Sequence, residues 1–488
     1  MKLKALYTAA VFLLTATAVT AQTVVTNVGG QSKLFKDKSS SSISVFAGGT
    51  HYFFTKYTKS AVPTFYMQSF DQGGKIVGQK DLEIPTGVFN DTYFIDKVVG
   101  LGDRLYALVQ NLSKTKGANT LYAREVSPNG TVATEEVEVV KVNFEKMMNS
   151  GFHFAAVSQD KKTLAVVGEL PYEKEVSTKM KIALFDAELK QLSENEITLP
   201  GEGSKNKQIE VFVANDGTVY ILKRMFNKIG EIVLTVYQYS ANSPKDIKEY
   251  VIETTAPEYV SSYVSEVNAA NEFVVSGTTY IRKTMTVGDK QASGVFYFTN
   301  KGKSEAIMKT MALDAPVDNL TAQKVLINGT TVFLTAQQFK MERIDPTNPS
   351  TFDYNYNYTH KAEYIIAMDL EGNKKFQLNL TKDFKAYNFN KQYESAYFIC
   401  NDKLTIVYND LTSNYVPVQS SSYANVLPVL VQITNDGLLQ SPIAFIDAMK
   451  LPYGFILNPS ISVQDTPNGW AFLMSSHEFV QYIHMTID

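Results

Sequence analysis

One pattern, repeated eight times, constrains the fold of this 488-residue chain more than any other feature. Each repeat has an apolar run followed by a hairpin of strand, polar turn and strand. The apolar runs are His51 to Phe54, Leu105 to Val109, Leu164 to Val167, Val219 to Leu222, Phe273 to Val275, Val332 to Leu334, Leu404 to Tyr408 and Trp470 to Met474. Their starts lie 54, 59, 55, 54, 59, 72 and 66 residues apart, room for four strands with loops. The hairpin is clearest where Phe65 to Phe70 meets Asp71-Gln72-Gly73-Gly74, and it returns at Ser127-Pro128-Asn129-Gly130, Asp369-Leu370-Glu371-Gly372 and Thr434-Asn435-Asp436-Gly437. Such turns carry the Gly and Asn that a tight hairpin needs for positive φ. Helical periodicity is scarce, so the chain reads as all-β. Several apolar runs do not alternate, as expected of strands covered on both faces by neighbouring sheets.

The two ends of the sequence complement one another. The eighth repeat reads Ile461 to Asp465, Trp470 to Met474 and Phe479 to Ile487, three strands without a fourth. Thr23 to Val28, with Ser32 to Phe35 as an extension, is a strand-like run ahead of the first complete repeat. An outer strand lent by the N-terminus pairs the open edge and closes a circle without a covalent bond. Eight four-stranded sheets closed in this way are expected; the alternative is seven, if the looser units around Val233 or Phe273 are divided wrongly. Lys36 to Ser42 reads as a connecting loop.

Residues 1–21 read as a signal peptide: Lys2 and Lys4, then the apolar stretch Ala5 to Val19, then the small-residue site Val19-Thr20-Ala21. Residues 22–488 are then one domain, and loss of the two lysines takes the net charge from −3 to −5. No later segment approaches 18 unbroken apolar residues, so no membrane span is expected in the mature chain and an exported, periplasmic or extracellular protein is. No Cys near the cleavage point supports a lipid anchor. Mild acidity without a basic cluster argues against nucleic acid. Cys400 is the single cysteine, so no intrachain disulfide forms; it sits in Tyr397-Phe398-Ile399-Cys400 and reads as a small buried hydrophobe.

With these repeats and this strand order, the chain resembles the β-propeller superfamily, and the exported bacterial repeat proteins within it, over essentially its mature length. The resemblance implies four-stranded blades around an axis. It rests on repetition and not on a diagnostic motif. Trp-Asp repeat endings are absent, and Gly48-Gly49 lacks the Tyr and Trp that follow the kelch double glycine. Ser462 to Trp470 holds letters of the sialidase Asp box at the wrong spacing, and one Trp does not supply the pattern of quinone-binding propellers.

Catalytic signatures are missing: there is no Gly-x-Ser-x-Gly elbow, no phosphate-cradling glycine loop and no His-Glu-x-x-His. His51, His153, His360, His477 and His484 are scattered except for the last two, and no metal or cofactor is expected. Asp71, Asp186, Asp369 and Asp436 suit Asx-type turns better than calcium sites. Two long connections stand out, Phe339 to Lys361 and Asn409 to Leu427. The first carries Asp353, Tyr354, Tyr356, Tyr358 and His360, and the second Tyr415 and Tyr423; Tyr beside Asn and Ser offers flat apolar faces with adaptable hydrogen bonds. Alternation at Tyr354 to Tyr358 equally fits an added strand pair. The expected function is binding of a glycan, peptide or protein partner through these loops on one rim. The alternatives are a carbohydrate hydrolase or lyase with carboxylates near the axis, its catalytic residues unknown, and a structural envelope component.

Overall fold

A computed structural model describes residues 24–33, 41–59, 62–84, 91–174, 176–200, 207–254, 257–281, 291–300, 306–344, 355–387, 394–415, 426–446, 455–476 and 478–488. The signal-peptide stretch 1–21, most of the loop read at 36–42, and Asp353, Tyr354, Tyr423 and His477 lie outside the described residues.

The chain begins with β1 (Val24–Lys33), followed by a first sheet of β2 (Ser41–Ala47), β3 (Thr50–Lys59), β4 (Val62–Asp71) and β5 (Ile76–Asp81). The second sheet is β6 (Asp91–Leu101), β7 (Arg104–Ser113), β8 (Ala118–Val126) and β9 (Val137–Asn143). The third is β10 (Phe152–Val157), β11 (Leu164–Glu169), β12 (Lys179–Phe185) and β13 (Gln191–Thr198). Next come β14 (Lys207–Val213), β15 (Val219–Phe226), β16 (Ile232–Tyr239) and β17 (Lys248–Ile252), then β18 (Glu258–Val267), β19 (Phe273–Ile281), β20 (Gln291–Thr299) and β21 (Ile307–Asp318). These two groups form one eight-stranded sheet, joined through the single pair Ile232–Val260 between β16 and β18. Two four-stranded sheets follow: β22 (Leu320–Asn328), β23 (Thr331–Ile344), β24 (Asn355–Asp369) and β25 (Lys374–Tyr387), then β26 (Ala396–Cys400), β27 (Lys403–Leu411), β28 (Val426–Ile433) and β29 (Ile443–Ala444). The last is β30 (Ile456–Thr466), β31 (Gly469–Ser475) and β32 (Phe479–Ile487), with β1 as its fourth strand. Every named pairing is antiparallel, and no α-helix occurs among the described residues.

The N-terminal strand pairs β32 from Val24 opposite Ile487 to Lys33 opposite Phe479. Gly29 and Gly30 bulge from this ladder, and Gly30 N–H donates to the carbonyl of Gly74, in the β4–β5 turn, at 2.7 Å. Second strands are among the driest: β11 is buried at all six positions and β19 at eight of nine. Among the described residues, eight apolar clusters lie between groups of strands. Seven run in chain order, as where Phe54 and Phe65 meet Val98 and Ala107, or where Trp470 stacks on Phe398 at 3.9 Å. The eighth joins Phe53 and Phe70 of the first sheet to Ala471, Leu473 and Tyr482 of the last. Cys400 is buried, and burial pushes its thiol up to about 11, in keeping with a packed and unreactive side chain. Asp71, Asp186 and Asp369 each accept main-chain N–H bonds within their own turns, which is the Asx-type geometry.

One expectation needs correction. Phe339 to Lys361 is not a long loop: β23 runs on to Ile344 and β24 begins at Asn355, so Tyr356 pairs with Arg343 and Tyr358 with Met341. The alternation of aromatic and polar residues there is strand periodicity.

Gly74 adopts φ +78°, and a Cβ on it would stand 2.7 Å from Gly29 Cα and 2.8 Å from the Tyr482 ring. Gly49 has a similar φ of +72° with open space around it. Gly74→Ala is therefore expected to cost about 2–4 kcal/mol, and Gly49→Ala only about 1 kcal/mol. Urea denaturation measures both; equal losses would mean that the approach of Gly29 to Gly74 contributes nothing.

Candidate functional site

Most first strands are less buried than the second strands they pair with, although β26 is buried at four of its five positions. In β18, Glu-Tyr-Val-Ser-Ser-Tyr-Val-Ser-Glu-Val, only Val260 is buried and the rest are half-buried. Three such first strands, β14, β18 and β22, line a cavity of about 590 Å³, within the size range of small-ligand sites. Glu210 and Phe212 come from β14, Tyr263, Glu266 and Ser265 from β18, and Gln323 and Lys324 from β22, while Arg224 and Ile232 reach it from β15 and β16. Bulges place two of the lining residues: the ladder skips Ser261 between Val260 and Ser262, and Gln323 between Ala322 and Lys324. Bulges of this kind bend a strand and re-aim its side chains. Ser262 ties the two strands together, its Oγ accepting from Ala322 N–H at 2.8 Å.

The lining is polar and of both signs. Tyr263 Oη donates to Glu210 Oε1 at 2.8 Å, and burial together with that carboxylate drives the phenol well above its ordinary range. Burial raises the Glu266 carboxyl, with Lys324 opposing. Lys324 Nζ donates to the Tyr397 carbonyl at 3.3 Å, linking the cavity to a second polar group in the next sheet.

That second group is dry. Glu363 and His360 are fully buried and Lys382 nearly so. Lys382 Nζ donates to Glu363 Oε1 at 3.1 Å and to Ser395 Oγ at 2.8 Å, Ser395 donates to the same carboxylate, and Tyr397 Oη donates to Oε2 at 2.6 Å. Burial alone would raise the Glu363 carboxyl, but Lys382, His360 and these hydroxyls outweigh it and hold the group below its ordinary range. Lys382 also stands 4.6 Å from the centre of the Tyr408 ring.

Of the residues nominated from sequence, His360 is therefore an interior side chain, facing Gln337 at 3.3 Å and Glu363 at 3.6 Å, and not part of an exposed loop face. It sits on β24 between the flanking strands β23 and β25. Tyr415 is half-buried and donates to Asp410 Oδ2 at 2.9 Å. Tyr356 and Tyr358 occupy neighbouring positions on β24, while Asp353, Tyr354 and Tyr423 lie outside the described residues. Sequence reading missed Glu210, Arg224, Tyr263, Glu266 and Lys324; the signal available for part of this set was a strand, β18, whose Ser, Tyr and Glu leave no continuous apolar face.

The remaining histidines divide. His153, in β10, is pushed down to about 4 by burial. His51 and His484 meet at one carboxylate: Nε2 of each lies against Asp465 Oδ2, at 3.1 Å and 3.0 Å. Hydrogen bonds from the two rings outweigh burial and hold Asp465 below its ordinary range.

No protein-family model matches the chain, and no curated protein matches it. Among solved structures, prolyl oligopeptidase B from Galerina marginata is 10% identical with a TM-score of 0.38, over 92% of this chain and 56% of that one. An alpha-L-arabinanase from Penicillium chrysogenum is 10% identical with a TM-score of 0.35, over 64% and 94%. The apocarotenoid oxygenase of Synechocystis is 10% identical with a TM-score of 0.32, over 88% and 92%. Likenesses this loose carry no argument about activity.

Lys382→Met leaves Glu363 buried without its cation and is expected to destabilise by about 3–5 kcal/mol. The double variant Lys382→Met, Glu363→Gln recovers most of that loss; a double-mutant cycle by chemical denaturation that finds no coupling would refute the pairing. His153 takes up its proton near 6.5 when unfolded but only near 4 when folded. Stability is thus full above pH 6.5 and falls as pH drops toward 4, by about 3 kcal/mol in total. His153→Gln flattens that limb in urea titrations at pH 7 and 4.5.

Proposed function

We propose that this chain is an exported propeller of eight blades that binds a short, hydroxyl-rich ligand of the glycan class in the cavity of its first strands. The cavity carries the reading: three consecutive repeats turn polar residues of both signs toward one open space. Carboxylates accept from sugar hydroxyls, Arg and Lys donate to them, and Phe212 and Tyr263 offer faces for the ring carbons. Export is supported by Lys2, Lys4 and the apolar run to Val19. Eight blades and their closure are supported by the pairing of β1 with β32 and by the apolar cluster between the first and last sheets. Arg224 and Ile232 flank the connection between the second and third strands of their repeat. Tyr356 and Tyr358 lie on β24 near the corresponding end of the sixth repeat.

A second reading is glycoside hydrolysis. Glu266, whose buried carboxyl is raised, has the character of a proton donor, and Glu210 supplies a second carboxylate.

Calorimetric titration of neutral oligosaccharides separates the readings. Glu210→Ala and Arg224→Ala are expected to weaken binding at least about tenfold, each lost charge-assisted bond contributing roughly 1.5–3 kcal/mol. Unchanged affinity in a folded double variant refutes the cavity as the site. Glu266→Gln with binding retained and sugar cleavage abolished establishes the hydrolase; no cleavage by the unmodified protein leaves the binding protein.

A further inference from the structure

His51 lies near the start of β3 in the first sheet, whereas Asp465 and His484 lie on β30 and β32 of the last. The three sit at the end of the sheets where first strands turn into second strands, opposite the rim nominated from sequence. One ligand atom from each, two imidazole nitrogens and a carboxylate oxygen, falls within 4.8 Å of the others. The two nitrogen–oxygen edges are 3.1 Å and 3.0 Å. Ligand atoms bound at about 2.1 Å stand roughly 3.0–3.4 Å apart around an octahedral or tetrahedral ion, so the edges already have coordination dimensions. The side chain of Asp465 is 4% exposed and that of His51 is fully buried, while His484 is 19% exposed and leaves one side open to solvent. Asp465 Oδ1 is buried with no hydrogen-bond partner, although both rings crowd onto Oδ2. An ion at this point gives the carboxylate the partner that the histidines do not.

The surroundings suit the exchange. Tyr482 Oη lies 3.2 Å from His51 Nδ1. A phenol hydroxyl donates to that nitrogen while Nε2–H faces Asp465, and accepts from Nδ1–H once Nε2 turns its lone pair to a metal, the second-shell bond that metal-bound histidines usually make. Gly469 keeps the space clear, since a Cβ there would lie 2.5 Å from Asp465 Oδ1 and 3.4 Å from His484 Nε2.

We infer that His51, Asp465 and His484 form a site for a zinc-type divalent cation that pins the first sheet to the last. Two nitrogens and one oxygen favour zinc, cobalt or nickel over calcium and magnesium, which take oxygen donors. A water from the exposed side completes the shell. The ion bridges residues 414 positions apart in the chain, across the interface formed by Phe53, Phe70, Leu473 and Tyr482.

The test strips the full-length protein with a chelator and returns zinc or cobalt, reading stoichiometry by competition with a chromophoric chelator and the melting temperature in parallel. One zinc per chain and a melting temperature several degrees higher are expected. His484→Gln, at the most exposed ligand, and Asp465→Asn each weaken zinc at least about tenfold. His477→Ala leaves binding intact. The inference is overturned if the unmodified protein takes no zinc at micromolar concentration, if His484→Gln and Asp465→Asn bind as well as it does, or if His477→Ala alone loses the metal.

Discussion

The backbone ladder between β1 and β32 is the contact on which the arrangement depends. Without it, β32 would present a free row of N–H and C=O groups on a sheet whose other edge is already a first strand, and the sheet would be both incomplete and adhesive. The ladder also places Gly30 against Gly74 and Gln481 against the carbonyl of Gly29, so one strand touches the last sheet and the first together. The apolar cluster of Phe53, Phe70 and Tyr482 covers the same boundary from the side-chain direction. Backbone pairing and hydrophobic burial thus agree on which sheets are neighbours, although their residues come from opposite ends of the sequence.

Much of this was legible because period and turn chemistry are local. Runs such as Leu164 to Val167 declare a strand dry on both faces, and Asp71 to Gly74 declares a hairpin, from a handful of adjacent residues. The incomplete eighth repeat was legible for the same reason, since a missing strand is a gap in a regular count. The looser units around Val233 and Phe273 do each possess four strands, but the Ile232–Val260 contact fuses them into one sheet, a tertiary detail with no local signature.

The polar sites were harder to see, because none is local. Glu363 meets Lys382 across a hairpin and Tyr397 across a sheet boundary; His51 meets Asp465 across nearly the whole chain. His360 was noticed for its company of tyrosines, yet its side chain is buried against Gln337 and Glu363, which periodicity alone does not reveal. Ser261 and Gln323 reach the cavity because bulges turn them, and a bulge adds one residue without leaving a distinctive composition.

The pairing of Val24 with Ile487 also sets an order of events. Among the described strands β1 is the first in chain order and its partner β32 the last, so β1 has nowhere to settle until Phe479 to Ile487 exists. The intervening sheets form from contacts within each repeat, at little cost in chain entropy. The sheet of β30 to β32 waits for a strand from far upstream, making its completion a late step governed by how quickly a short ribbon finds its edge.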